Sequence, residues 1–451
     1  MATSAALDYT YKYPFASQVG ELDQGFGLRL STCGANQENP YFFNGTLRQP
    51  RCIGDMLLVL SDIVWTHFFL PSIPMLDPVV TSSEDMLRFE GFSGCCGVYV
   101  RADFLPEAFN SELQQRGTTN VDFNNPMRAA LTRLQNCDEA RLQVGQDEVA
   151  LSKSDEKVVE KKVKLPIRWI KSFSEVQAYM PGLELKYELG ISEARRFIRS
   201  LPRTPVKQPS FIAQSGRSLR MSLREKPGAI RLAGLNRIRI IEPLLSSAKG
   251  MRVWSDSDTG VSGWEFLFDV GRLFLLISPE LYRGFSGEGQ VLERLATGGW
   301  EESLSHVQAQ LAWQSQLDIS DLSSQTGFNE EDVASSMAVL GSRGLAGYDV
   351  ATGKYFHRIL PFELDKVEQM QPRLKGAKKL LEDKRVKISE KISDEEFDLQ
   401  VGGSGVDHLV RIRNDQDKCT CPWFCKYLGQ RGPCKHILAA RMYIGEGEQE
   451  S

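Results

Sequence analysis

Apolar residues along this chain recur with different periods, and the switches between periods mark the elements. The strongest run is CIGDMLLVLSDIVWTHFFL, residues 52–70, where Ile53, Met56, Leu57, Leu60, Ile63 and Val64 follow helical spacing. It predicts a core helix. The run approaches membrane-spanning length, but Asp55 and Asp62 inside it would be costly in lipid, so no membrane span is expected. Around it, FGLRLST, PYFFNG, DMLRFEGF and GCCGVYVR predict strands, while PEAFNSELQQR and PMRAALTRL predict helices. Together they predict an α+β domain over residues 1–136. Residues 137–165 turn polar and charged (DEVALSKSDEKVVEKKVK), which predicts a linker or a solvated helix.

A central α+β region is expected over residues 166–300. SFSEVQAYM and SEARRFIRSL predict helices, and MRVWSD, GWEFLFDV and RLFLLIS predict a three-stranded meander with a tight turn at Asp269-Val270-Gly271. Gly284, Gly287 and Gly289 precede a helical stretch and could in principle cradle a phosphate. No Lys-Ser/Thr follows them and no dinucleotide fingerprint is present, so a structural turn is the stronger reading. Residues 301–362 give a helix, a short helix, a turn at Gly327, a third helix and a hairpin. That order is similar to the winged helix-turn-helix family, with Val333, Met337, Val339 and Leu340 on the inner face of the third helix. Residues 363–404 predict a charged helical connector, and 405–451 a small C-terminal zinc-binding module. The fold class expected is multidomain α+β.

Charge sharpens this outline. A net charge of −4 supplies no global pull towards nucleic acid or membrane, so any such binding must be local. Residues 191–240 carry twelve Lys and Arg against only Glu193 and Glu225, with Arg217, Arg220 and Arg224 near the centre. The segment reads either as a footprint for nucleic acid or an acidic partner, or as a solvated stretch balancing acids elsewhere. The third helix of 301–362 opens with Glu330, Glu331 and Asp332. Carboxylates suit a helix N-terminus but are repelled by phosphates. That module therefore reads as protein-docking or core rather than as a reader of bases.

The most specific chemistry lies in KCTCPWFCKYLGQRGPCKHILAAR: Cys419-x-Cys421, a twelve-residue insert, then Cys434-x-His436. Side chains at i and i+2 of an extended segment face one side, so each pair can face one ion. Three thiols and an imidazole form a closed tetrahedral set for one structural Zn2+, and Gly429, Gly432 and Pro433 let the insert turn back. Cys425 is then a bystander. Arg431 and Lys435 make the segment basic among Trp423, Phe424 and Tyr427, a mixture that suits phosphate contact and stacking. Trp423 and Phe424 are better read as the core of the zinc module. The other cysteines are Cys33, Cys52, Cys95, Cys96 and Cys137. The opening MATSAALDYTYKYPF lacks the apolar core of a signal peptide, so a reducing cytoplasm with free thiols is expected. A second metal site from Cys52, His67 and Cys95 is a weaker reading, because small buried thiols are common.

The Cys-x-Cys…Cys-x-His pattern and the IleLeuAlaAla that follows resemble the SWIM zinc finger, which implies binding to nucleic acid or to protein. LRFEGFSGCCGVYVRADFLP, GTTNVDFNNPMRAAL and SPELYRGFSGEGQVLERL, together with the finger, resemble a bacterial family of SWIM proteins. That resemblance implies partnership with a MoxR-type AAA+ ATPase and a von Willebrand factor A domain protein, in systems of a conflict or chaperone-like kind. With five histidines and no catalytic order of Ser, Cys, His and Asp, a non-enzymatic adaptor for nucleic acid (DNA or RNA), protein or both is expected. A winged-helix DNA-binding transcription regulator is the alternative.

Overall fold

The structure is a computed structural model of the chain, and it describes residues 18–22, 25–29, 41–69, 78–154, 156–163, 165–287, 289–292, 300–311, 314–360, 372–393, 395–414 and 416–449. After a short hairpin of β1 (Gln18–Leu22) and β2 (Gly25–Arg29), strand β3 (Tyr41–Leu47) leads into α1 (Pro50–Trp65). The helix predicted from the apolar run is α1. Ile53, Met56, Leu60, Ile63 and Val64 on it are completely buried. It packs on β5 (Leu87–Phe92) and β6 (Val98–Phe104), which follow β4 (Val79–Ser82). Among the described residues, no helix is long and apolar enough to cross a membrane.

Two predictions in this half fail. PEAFNSELQQR, read as a helix, forms β7 (Phe109–Gln114), paired to β3 with Phe109 opposite Leu47. Its ring packs edge-on against Phe43 at 4.9 Å. The 137–165 stretch, read as a linker, follows β8 (Gly117–Asn120) and α2 (Asn125–Thr132) and forms β9 (Ala140–Gly145), β10 (Glu148–Lys153) and β11 (Glu156–Lys161). These complete a five-stranded sheet in the order β11–β10–β9–β3–β7. Ala140, Leu142, Val144, Val149 and Leu151 are buried, and the charges fall on the outer positions and on the edge strand β11. Charged edge strands discourage unwanted pairing, so composition here describes a sheet edge and not a linker.

The central region adds α3 (Ile167–Tyr179), β12 (Glu184–Gly190), α4 (Ile191–Ser200), β13 (Ser210–Ser215), β14 (Ser218–Ser222), β15 (Ile230–Leu232) and α5 (Asn236–Arg239). The meander follows as β16 (Gly250–Ser255), β17 (Ser262–Phe268) and β18 (Gly271–Ile277). It does not found a domain of its own. β18 pairs along its whole length with β6, and one antiparallel sheet of eight strands runs β12–β16–β17–β18–β6–β5–β4–β8. The expected boundary between 1–136 and 166–300 is thus crossed by a continuous sheet and one hydrophobic core. Gly271 sits at this seam because any Cβ there would lie 2.0 Å from the Asp103 carbonyl oxygen.

Two smaller cores attach to this body. The first belongs to α6 (Glu301–Gln310), α7 (Ile319–Thr326), α8 (Glu330–Ser342) and the hairpin of β19 (Ala346–Asp349) and β20 (Lys354–His357). Its ends are locally encoded. Asp318 caps α7 by accepting from the Ser320 amide at 3.0 Å, Gly327 ends it at φ 81°, and Asn329 caps α8 through the Asp332 amide at 2.9 Å. The second core belongs to α9 (Pro372–Glu382), β21 (Val386–Lys391), β22 (Phe397–Gly402), β23 (Asp407–Ile412), β24 (Lys418–Cys419), α10 (Pro422–Tyr427) and α11 (Lys435–Gln449). The expected helical connector 363–404 is helical only over α9 within its described part. Its remaining strands join β23 and β24 in a four-stranded sheet.

Candidate metal centre

Each ligand of the quartet is placed by the start of an element. Cys419 ends β24, Cys421 is the N-cap of α10, and Cys434 and His436 open α11. All four are buried, and their donor atoms lie within 4.8 Å of one another. The Nδ1 atom of His436 stands 3.9 Å from the Cys419 sulfur and 4.0 Å from that of Cys434. Zinc bonds of about 2.3 Å to sulfur and 2.0–2.1 Å to nitrogen at tetrahedral angles separate such donors by roughly 3.6 Å, so the set fits one Zn2+ with little adjustment. Among the described residues this is the one group of three or more such ligands. Cys52, His67 and Cys95 do not come together as a second site.

The surroundings favour thiolate at Cys421, with the thiols of Cys419 and Cys434 pushed up beside it. Backbone amides of Cys421, Phe424 and Ile437 approach the sulfurs of Cys419, Cys421 and Cys434 at 3.4, 3.3 and 3.5 Å. The N-termini of α10 and α11 add positive potential to Cys421 and Cys434. The thiol of Cys421 is held well below the ordinary range by the hydrogen bonds it takes from Cys419 and then Cys434, and the Cys419 thiol is pushed up by the same sharing. A bound Zn2+ replaces those shared protons with one charge common to all four ligands. His408 covers the His436 ring at 4.6 Å, a neighbour that the ligand spacing gave no sign of. Cys425 is exposed and outside the cluster, as expected. Ile437, Leu438, Ala439 and Ala440 are buried in the finger core with Phe424.

The finger is seated on the body. Inside the finger's own core, Arg373 of α9 donates to the carbonyl oxygens of Arg431 and Pro433 at 2.7 and 2.8 Å and stacks over Trp423 at 4.7 Å, which holds the docking loop in shape. Arg431 in turn donates to the Gly287 carbonyl at 2.6 Å and lies 4.8 Å over the Tyr427 ring. A Cβ on Gly432 would meet the Gly289 carbonyl at 2.1 Å, and one on Gly284 the Cys95 carbonyl at 2.3 Å. Gly284 therefore serves close packing within the body, and Gly289 and Gly432 serve it between body and finger. Cys95 and Cys96, expected in a strand, occupy the turn between β5 and β6, with Cys96 at φ 57°. Arg431, a predicted partner-binding residue, is committed to this seam, and Lys435 is half-buried against Gly376. A polar cleft of about 580 Å³ remains between finger and body. Its Arg231, Arg413 and Arg441 are already paired with Glu280, Asp398 and Asp417.

The helical module is fastened differently, by buried charge. Asp349 at the end of β19 meets Arg101 at 3.0 Å, Arg88 at 3.7 Å and Arg272, and Asp103 joins the same three arginines. Burial alone would raise the Asp103 carboxyl, but Arg101, Arg272 and Arg88 bring it down to about 2. Arg358, fully buried, pairs with Glu90 and lies 4.8 Å over Phe173. The C-terminal half of α8 is pressed on α3, where Ser174 Oγ donates to the Ser342 carbonyl at 2.7 Å. Only the acidic start of α8, Glu330 and Glu331, is exposed.

The basic segment divides in two. Arg195, Arg199, Arg231, Arg237 and Arg239 bind carbonyls or carboxylates of the body. Arg196, Arg203, Lys207, Arg217, Arg220, Arg224 and Lys226 are exposed, with no ion pair among the described residues, and Arg217, Arg220 and Arg224 lie on and beside the β13–β14 hairpin. Nothing in the charge count distinguished the two groups. Compared with known proteins, residues 408–442 match the SWIM zinc finger. A comparison with curated proteins gives no match.

Proposed function

We propose that this chain is a non-enzymatic adaptor whose structural zinc holds a SWIM finger rigidly against a larger body, so that nucleic acid, protein or both can be engaged from fixed surfaces. The observation that carries the reading is the closed site. Four buried protein ligands leave no coordination position for a substrate or a catalytic water. We read 300–360 as a winged helix used for docking. Its helix order, the turn at Gly327 and its own core support the fold. The burial of the second half of α8 on α3 and the carboxylates at its start weigh against the DNA-reading regulator. The partners named by resemblance are the MoxR-type ATPase and the von Willebrand factor A domain protein, in a bacterial defence or conflict system. The cytoplasm, being reducing, would keep the three thiols available as ligands.

Low-salt co-purification of the tagged full chain, with bound protein identified by mass spectrometry and bound nucleic acid by sequencing, tests this. A specific ATPase complex lost in a Cys434→Ser variant is expected. A defined operator footprint without any protein partner would establish the regulator instead.

A further inference from the structure

We propose that the three-stranded sheet β14–β13–β15 and the turn after β14 form a binding surface for single-stranded nucleic acid. The inference rests on the adaptor reading and names one of the adaptor's partners. Between residues 203 and 226 the chain carries Arg203, Lys207, Arg217, Arg220, Arg224 and Lys226 against the single carboxylate Glu225. All six cations are exposed, and none forms an ion pair among the described residues. An unpaired cation gains a phosphate and releases counterions without first breaking a bond, which the committed arginines nearby cannot do.

The sheet supplies the rest. Ile212 and Leu219 are buried, so strand alternation puts Phe211, Ala213, Ser218, Arg220 and Ser222 on the outer face. Phe211 lies opposite Ser222, and Ala213 opposite Arg220. Phe211 is only half-buried there. On its other side Phe211 lies opposite Arg231, which is held by Glu280, so the ring offers a base one face to stack on and Arg220, one pair further along β14, offers the donor for its phosphate. Arg217 marks the hairpin tip beside Gly216, and Arg224 and Lys226 mark the opposite end. At about 3.4 Å per residue, β13 separates these ends by roughly 17 Å, a track for a few nucleotides. Bases of a duplex would keep their faces stacked away from the ring. The neighbouring α4 is no groove reader, because its apolar face is buried and Arg195 and Arg199 are engaged.

Fluorescence anisotropy of the zinc-loaded full chain, with labelled oligouridine, oligothymidine and a blunt duplex of equal length, tests the proposal. Single strands are expected to bind about tenfold more tightly than duplex. Replacing Arg217, Arg220 and Arg224 together by Ala should weaken binding at least tenfold and lower the slope of log K against log salt by about 2, since each lost phosphate contact removes roughly 0.7. Phe211→Leu keeps the site filled with apolar volume, and circular dichroism checks its fold. It should lose about tenfold in single-strand affinity at an unchanged salt slope. Lys418→Ala on the finger should change neither. Wild-type affinity in the triple variant, tighter binding of duplex, or displacement by polyglutamate as readily as by unlabelled oligonucleotide would overturn the proposal. If no oligonucleotide binds while an ATPase partner still co-purifies, this inference fails and the adaptor reading stands.

Discussion

The zinc finger and the helical module sit on the same body, yet they are held by opposite means. In the finger, the organising charge is an ion bound by four residues within eighteen positions of one another, and docking uses the Arg431 bond to the Gly287 carbonyl and glycine packing. In the helical module the organising charge is carried by side chains from distant parts of the chain. Asp349 and Arg101 are 248 residues apart in sequence yet meet in a fully buried pair. Each region should therefore fail in its own way. A metal-built core collapses as a unit when one ligand is lost. A buried ion network instead leaves uncompensated charge and loosens the joint between two cores that each remain apolar.

Cys434→Ser should give the largest effect. Structural zinc sites contribute about 10–16 kcal/mol of apparent binding free energy at neutral pH, more than a small domain's whole margin. Metal analysis should find no zinc, and hydrogen exchange should show protection lost across 372–449 but kept in β16–β18. A variant that retains one equivalent of zinc would remove Cys434 from the ligand set.

Asp349→Ala comes next. It leaves Arg88, Arg101 and Arg272 sharing Asp103 and the nearby Glu265, and removing one partner from a buried network costs about 3–5 kcal/mol. Thermal unfolding should start earlier and exchange should rise in 300–360, with zinc content unchanged. Equal loss of protection in the finger would mean that the two attachments are coupled, against the contrast drawn above.

Arg373→Ala removes two charge-assisted bonds to carbonyls and the stack on Trp423, about 1.5–3 kcal/mol for such a bond. The finger should keep its zinc yet expose the 284–290 segment to limited proteolysis. Unchanged cleavage there would assign the docking to the Arg431–Gly287 bond and the glycine contacts.

The smallest effect concerns pH. Burial, and then the Arg116 guanidinium, hold His357 of β20 down to about 4 from an ordinary value of 6.5. The fold keeps the neutral ring. Its contribution is therefore complete above about pH 6.5 and is lost as pH falls from there through about 4. Protection factors at β19–β20, referred to the intrinsic exchange rate at each pH, should fall between pH 7 and pH 5, and His357→Gln should flatten that response. A pH response unaltered in the variant would trace the loosening to another group.

Much of the finger could be read directly from the residues. The ligand spacing named the metal set, and the apolar IleLeuAlaAla after His436 named part of its core. The α1 periodicity, the β16–β18 meander and the capped helices around Gly327 were equally local. The failures differ in cause. β7 reads locally as a helix because its partner β3 lies in a distant part of the chain, whereas β9–β11 are local hairpins whose charged outer positions and edge mask the alternation of Leu142, Val144, Val149 and Leu151. Arg431 and Arg217 looked alike as basic residues among polar neighbours. One is spent on the Gly287 carbonyl and the other is free in solvent.

The zinc ligands, most helices, the meander and the acidic start of α8 are legible in the residues alone. Each depends on spacing within a few turns of chain, where backbone geometry fixes which side chains can meet. It takes the folded chain to unite the expected first and central domains in one sheet, to clamp the helical module with buried arginines, and to leave particular basic residues to meet a partner. A charge has no assigned use until the fold brings it a counter-charge, a carbonyl or water, and those come from residues that no local pattern connects to it.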